Sequence, residues 1–198
     1  VSRLGFPVLE RLGVPATVFV PTEYAGSQQP MAWAGMSRWL GTPFEPELEC
    51  MSWDELRGLR DAGWEIGSHT RTHRDLATLT DAELDAELRG SREECEAEIG
   101  RPCRALAYPF SSFDARVKRA AAAAGYEAAL ILDSEPAIRP QTVPLPSGTA
   151  ADPMEMLRAG IYGRDGWPRF LAKTSPAVRR ARLKAGGALA NLRRSQAS

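Results

Sequence analysis

The chain has 198 residues, 43% hydrophobic and 8% aromatic, with 25 Lys and Arg balancing 25 Asp and Glu. That length suits one domain able to bury a sizeable core, and no apolar run approaches the roughly 20 residues of a membrane helix. Zero net charge hides an asymmetry: residues 164–198 carry nine Lys or Arg and one Asp, which leaves the first 163 residues acidic. We therefore expect a domain over 1–163 and a basic extension over 164–198.

The elements alternate. Residues 3–12 fit an amphipathic helix, with Leu4, Val8 and Leu12 on one face and Gly13 as the stop. They have no character of a signal peptide, so localisation stays open. ATVFVP, 16–21, is β-branched and aromatic and predicts a buried strand. Residues 22–50 show no period; this excursion holds Trp33 and Trp39, and cleft lining by sugar-stacking aromatics and simple packing both remain open.

A capping box, Ser52 with Glu55, opens a helix that Gly63 ends. WEIGS, 64–68, predicts a strand. Thr80 with Glu83 opens a second helix, stopped by Gly100, with Leu84, Leu88 and Ile99 in its buried stripe. RALAYPF, 104–110, predicts a strand, FDARVKRAAAAAG, 113–125, a helix, and YEAALIL, 126–132, another strand; VPL, 143–145, is a candidate last one. Such alternation predicts an α/β fold with a parallel sheet and helices outside it. The period alone leaves barrel and open sheet undecided, but in either the site gathers at the C-terminal strand ends. The basic stretch 166–194 is helix-permissive. A solvated extension is the default expectation, and contact with a membrane surface or an acidic partner is the alternative. Its few aromatics argue against single-stranded nucleic acid. Cys50, Cys95 and Cys103 lack metal or redox spacing and read as ordinary thiols, with a Cys95–Cys103 pair left open.

The only two histidines, His69 and His73, stand four positions apart in GSHTRTH, 67–73. They are either unrelated surface or capping residues or two ligands of a metal site. Zinc proteases of the His-Glu-x-x-His kind are excluded, because Thr70 occupies the place of the glutamate that activates water. The pair follows a strand, where active sites assemble, and imidazole is the commonest ligand of zinc-like ions. A catalytic site of that kind needs three protein ligands and one open position.

The stretch DAGWEIGSHTRTHRDLATLT resembles the second motif of the polysaccharide deacetylase family, His-Ser/Thr-x-x-His. PVLERLGVPATVFVPT is similar to the segment after that family's first motif, and RALAYPFSSFD to its third; together the three span residues 6–132. The resemblance implies a distorted (β/α) barrel with fewer than eight repeats and metal-dependent removal of N-acetyl, less often O-acetyl, groups from a carbohydrate. It implies His69 and His73 as ligands of zinc, or of cobalt or nickel. It also implies the backbone N–H of Phe110 as oxyanion donor, and Tyr108, Pro109 and Ser111 as substrate-binding residues. Thr70 would orient the loop.

The chain departs from the family pattern in four respects. The opening Thr-Phe-Asp-Asp-Gly motif, source of the third ligand and the general base, has no counterpart; it belongs upstream of residue 6, so a longer protein with one more N-terminal strand is expected. Ala107 and Tyr108 stand where an arginine is common, and Ser111 where glycine is usual. The late Leu-x-His motif is absent, which leaves protonation of the leaving amine unassigned. The alternatives to a deacetylase are an inactive relative that keeps a carbohydrate cleft and an interaction protein acting through its basic tail. Asp54 and Asp75 are nearby in sequence, but no motif marks either as a substitute.

Overall fold

The computed structural model describes residues 1–133, 152–163, 165–175 and 177–178. Five short strands run parallel: β1 Thr17–Val20, β2 Glu65–Ser68, β3 Ala105–Ala107, β4 Ala128–Asp133 and β5 Met156–Ala159. Their spatial order is their chain order, β1-β2-β3-β4-β5, as in a barrel, but among the described residues the sheet stays open, with β1 and β5 as its edges. The helices α1 Gly5–Arg11, α2 Trp53–Asp61, α3 Asp81–Asp85, α4 Ser91–Ile99, α5 Ala115–Ala123 and α6 Trp167–Thr174 are the crossovers and flanks that parallel strands require.

The two-residue side-chain period divides each strand. One face presents Val20, Ile66, Leu106, Ala129 and Ile131, all buried against Leu56 and Leu59 of α2, Cys95 and Ile99 of α4 and Val117 and Ala121 of α5. The opposite, inner face presents Thr17, Phe19, Glu65, Ala105, Leu130 and Arg158, which line a cavity of about 530 Å³. Gly67 belongs to this inner face because nothing larger fits: a Cβ there would lie 2.7 Å from the Phe19 ring and 2.9 Å from the Ala105 carbonyl oxygen. Neither histidine lines that cavity.

Both capping boxes form. Ser52 accepts from Glu55 N–H and opens α2, and Thr80 accepts from Glu83 N–H and opens α3. Gly100 ends α4 in the left-handed region at φ 68°.

Several expectations need correction. The 80–100 helix is not continuous α: a wide π turn over Ala86–Gly90 joins α3 to α4. The third strand stops at Ala107, because the chain turns sharply at Pro109–Ser111. The helix expected from Phe113 starts at Ala115, since Asp114 is its cap and accepts from Val117 N–H. In α1 the stripe Leu4, Val8 and Leu12 faces outward, 83%, 45% and 64% exposed; Phe6 and Leu9 turn inward instead, Phe6 edge-on to Trp64 at 5.5 Å. The fifth strand is β5, outside the predicted pattern, while residues 143–145 lie outside the described residues. Of the basic extension, α6 follows β5 and is tied back by Lys173 to Asp165 and the Gly160 carbonyl; most of 176–198 lies outside the described residues. All three cysteines are free, and burial raises the thiol pKa of Cys50 to about 11. No helix among the described residues is long and apolar enough to cross a membrane.

Candidate active site

The C-terminal ends of β1, β2 and β3 meet at one rim. Beyond its last strand residue β2 keeps pairing with the chain after β1: His69 N–H donates to Val20 O at 2.8 Å, Thr22 N–H to Thr70 O at 3.0 Å and Glu23 N–H to Arg71 O at 3.1 Å. The loop then folds over itself. Thr70 adopts φ 65° and His73 φ 62°, and His73 N–H donates to the buried Thr70 hydroxyl at 3.2 Å. The third-motif loop does the same at Phe110, φ 55°, and Ser111, φ 53°. Among the described residues these four are the only non-glycine residues with positive φ. Each such conformation costs on the order of 1–3 kcal/mol, and such strain clusters at functional sites.

A carboxylate on the π turn holds the histidine loop in this form. Glu87 is 5% exposed and accepts from the backbone N–H groups of Arg71 and Thr72, each at 3.0 Å, and from the Thr72 hydroxyl. Single-turn π bulges are common at functional sites, and here the bulge lies directly beneath the loop it clamps. Glu94 of α4 joins the same clamp, accepting from Arg71 Nε at 2.8 Å and from the Thr22 hydroxyl. Below them Ser68 and Ser91 share a buried hydrogen bond of 2.9 Å, and Ser68 accepts from Thr70 N–H at 3.0 Å.

His69 and His73 come together, ring centroids 4.6 Å apart and nearly perpendicular at 87°. His69 Nδ1 lies 2.7 Å from the Ala107 carbonyl oxygen, an acceptor that requires the proton on Nδ1 and leaves the Nε2 lone pair free. His73 Nδ1 is buried, with no hydrogen-bond partner beyond its own backbone among the described residues. Burial, reinforced by the Arg158 charge, holds His69 down at about 4. Burial and the neighbouring His69 hold His73 at about 3. Both rings are therefore neutral at neutral pH, the form that binds metal. Two adjacent neutral imidazoles, one with its tautomer fixed, fit a borderline-soft divalent ion.

Among the described residues no group of three or more His, Cys, Asp or Glu is placed to hold a metal. The nearby aspartates are engaged elsewhere. Asp75 caps the turn Leu76–Thr78 through Ala77 N–H, and Asp54 pairs with Arg57 at 2.6 Å.

Phe110 is the exposed residue of the third-motif loop, its ring 4.7 Å from His73 and its N–H without an acceptor among the described residues. Its neighbours are buried and support the loop from beneath. Tyr108 is stacked on Phe113 at 5.1 Å and donates to Met154 O at 3.2 Å. The Ser111 hydroxyl accepts from Leu132 N–H at 2.8 Å, and Pro109 is buried between them. The side chains of Tyr108 and Ser111 thus spend their polar atoms on the scaffold.

Two further residues bear on the site, Trp33 by contact with a histidine and Arg158 through its charge on His69. Trp33, from the 22–50 excursion, stacks on His73 at 3.9 Å, while Trp39 instead pairs with Phe44 at 5.3 Å. Arg158 of β5 lies over the Phe19 ring at 5.1 Å with its Nε buried and without an acceptor among the described residues; burial lowers its pKa.

A parallel sheet carrying an imidazole pair and a strained loop at its C-terminal rim defines an α/β protein with a candidate site at that rim. The family model for polysaccharide deacetylase matches residues 2–129, and the chain belongs to that family. Among solved structures it is similar to a polysaccharide deacetylase from Bacillus cereus, at 23% identity and TM-score 0.63 over 86% of this chain and 46% of that one. It is similar to a de-N-acetylase from Aggregatibacter actinomycetemcomitans, at 18% identity and TM-score 0.63 over 87% and 70%. It is also similar to the Streptococcus pyogenes deacetylase PplD, solved with acetate, at 15% identity and TM-score 0.62 over 88% and 65%. At these identities the likeness establishes the fold, an incomplete (β/α) barrel. The chain spans 65% of the length of PplD and 46% of the Bacillus cereus protein. No curated protein sequence gives a significant match.

Proposed function

We propose that this protein hydrolyses N-acetyl groups on an amino-sugar polymer, with a divalent ion, zinc or else cobalt or nickel, held by His69 and His73. The observation that carries the reading is the pair itself: two adjacent neutral imidazoles, one fixed by Ala107 O, in a chain of the polysaccharide deacetylase family. When bound, a divalent ion at the pair lowers the pKa of a water and polarises the acetyl carbonyl.

The chain's own residues do the rest. His69 presents Nε2 because Ala107 O holds its Nδ1 proton. Glu87 keeps the 70–73 backbone in the strained form that brings His73 to face His69. The unpaired N–H of Phe110 is a preorganised donor for the negative charge that develops on the acetyl oxygen. Because the donor is main-chain, its geometry depends on the φ of 55° at Phe110 and not on the ring.

Among the described residues no third ligand and no general base stands beside the pair. That gap favours the alternative reading, a deacetylase-like protein that binds carbohydrate without hydrolysing it. Acetate release from a panel of N-acetylated glycans, with the purified protein loaded with zinc, separates the two. Release that His73→Ala abolishes is the expected result. Metal bound at the pair with no acetate released from any glycan would leave the binding protein and sink the enzyme.

A further inference from the structure

The two imidazoles are held by different means. A metal-bound histidine ordinarily donates its second ring N–H to an oxygen, which fixes the ring plane. His69 does so, to Ala107 O at 2.7 Å. His73 makes no such bond to another residue: its Nδ1 is buried, with no partner beyond its own backbone among the described residues. What surrounds it instead is aromatic. Trp33 lies parallel to the His73 ring, centroids 3.9 Å apart and planes 9° from coincidence. His69 and Phe110 meet the same ring edge-on, at 87° and 82°.

Trp33 is itself fixed. Tyr24 packs edge-on against its indole at 5.6 Å. Its carbonyl accepts from Met36 N–H at 2.9 Å and from both the N–H and the hydroxyl of Ser37, each at 3.1 Å. The excursion is pinned to the body by Met31 N–H on Leu48 O at 2.8 Å.

We propose that Trp33 is the positioning residue of the site: its indole plane sets the orientation of the His73 ring, in place of the missing second hydrogen bond. The proposal rests on the reading that the pair holds a metal. A ring stacked on a flat neighbour at van der Waals distance keeps its plane, and rotation about the Cβ–Cγ bond would drive its edge into the indole. Trp33 touches no reacting atom in this arrangement; it acts through His73. A flat apolar partner is sufficient for that task, so Trp33→Phe should keep most of the function and Trp33→Ala should lose it. Trp33 is only partly buried and stands outside the core cluster, so both variants should fold.

Two measurements test this. With only two histidines in the chain, the imidazole NMR spectrum contains two sets of signals. In the metal-free protein the His73 set should be displaced upfield by the Trp33 ring current; Trp33→Ala should remove that displacement and leave the His69 set in place. The second is the affinity for Zn²⁺ and Co²⁺ by competition with a chromophoric chelator. Trp33→Ala should weaken it by about 10–100-fold, as removal of an orienting partner does, with rescue by Trp33→Phe and no change in Trp39→Ala. Unchanged affinity in Trp33→Ala, while the wild type binds metal at the pair, would overturn the proposal and leave the metal reading standing. A wild type that binds neither ion would overturn both.

Discussion

Glu87 offers the sharpest test of how the site is built. Its carboxylate accepts three hydrogen bonds, two from the backbone of Arg71 and Thr72 and one from the Thr72 hydroxyl. Hydrogen bonds to charged groups contribute about 1.5–3 kcal/mol each, and a buried donor left without a partner costs about 1–3 kcal/mol. The Arg71 and Thr72 amides are only partly buried, so water recovers part of that cost. Glu87→Ala should therefore destabilise the protein by roughly 2–4 kcal/mol, and Glu87→Gln, which keeps one acceptor oxygen, by about half as much. Urea unfolding reads this as a lowered midpoint at unchanged slope. The same variants should weaken metal binding by about 10-fold, because the strained 70–73 backbone relaxes and the histidines separate. If Glu87→Ala unfolds at the wild-type midpoint and binds metal as tightly, the clamp described above is not what holds the loop.

Two further outcomes follow from the same geometry. Gly67→Ala places a methyl 2.7 Å from the Phe19 ring and 2.9 Å from a sheet carbonyl, and should cost about 1–3 kcal/mol in thermal unfolding; a neutral result would show that the inner face is looser than described. The histidine pair should also leave a pH signature in the metal-free protein. Folded values near 4 for His69 and near 3 for His73 lie below the unfolded value of about 6.5, so below about pH 6.5 the unfolded chain binds protons that the folded one refuses. Stability should be full above that pH and fall as pH drops toward 4. The double variant His69→Asn, His73→Asn should lack that part of the slope, and identical slopes in the two proteins would refute the assignment.

What was legible in the sequence is local chemistry. The capping boxes at Ser52 and Thr80 and the glycine stop at Gly100 are written within a few residues, and each forms as read. The strand ending at Ser68 puts His69 and His73 at the rim for the same reason. The remaining features depend on contacts between distant residues. Glu87 looks like one more solvated glutamate in an acidic helix, and only the π turn rolls it inward onto a loop some 15 residues earlier. Trp33 sits in a stretch without a period, so nothing local announces that it lies on a ring 40 residues away. β5 escapes the pattern because Arg158 interrupts its apolar run, and that arginine faces the inner cavity over Phe19. In α1 the apolar stripe is ambiguous, because Phe6 and Leu9 form a competing face and it is theirs that meets Trp64.

The central claim is that His69 and His73 form a metal-binding pair, and metal content tests it most directly. The full-length protein, purified in zinc-containing buffer and dialysed, should retain about one ion per chain, and its His69→Ala, His73→Ala double variant essentially none. Equal metal content in the two proteins would contradict the account.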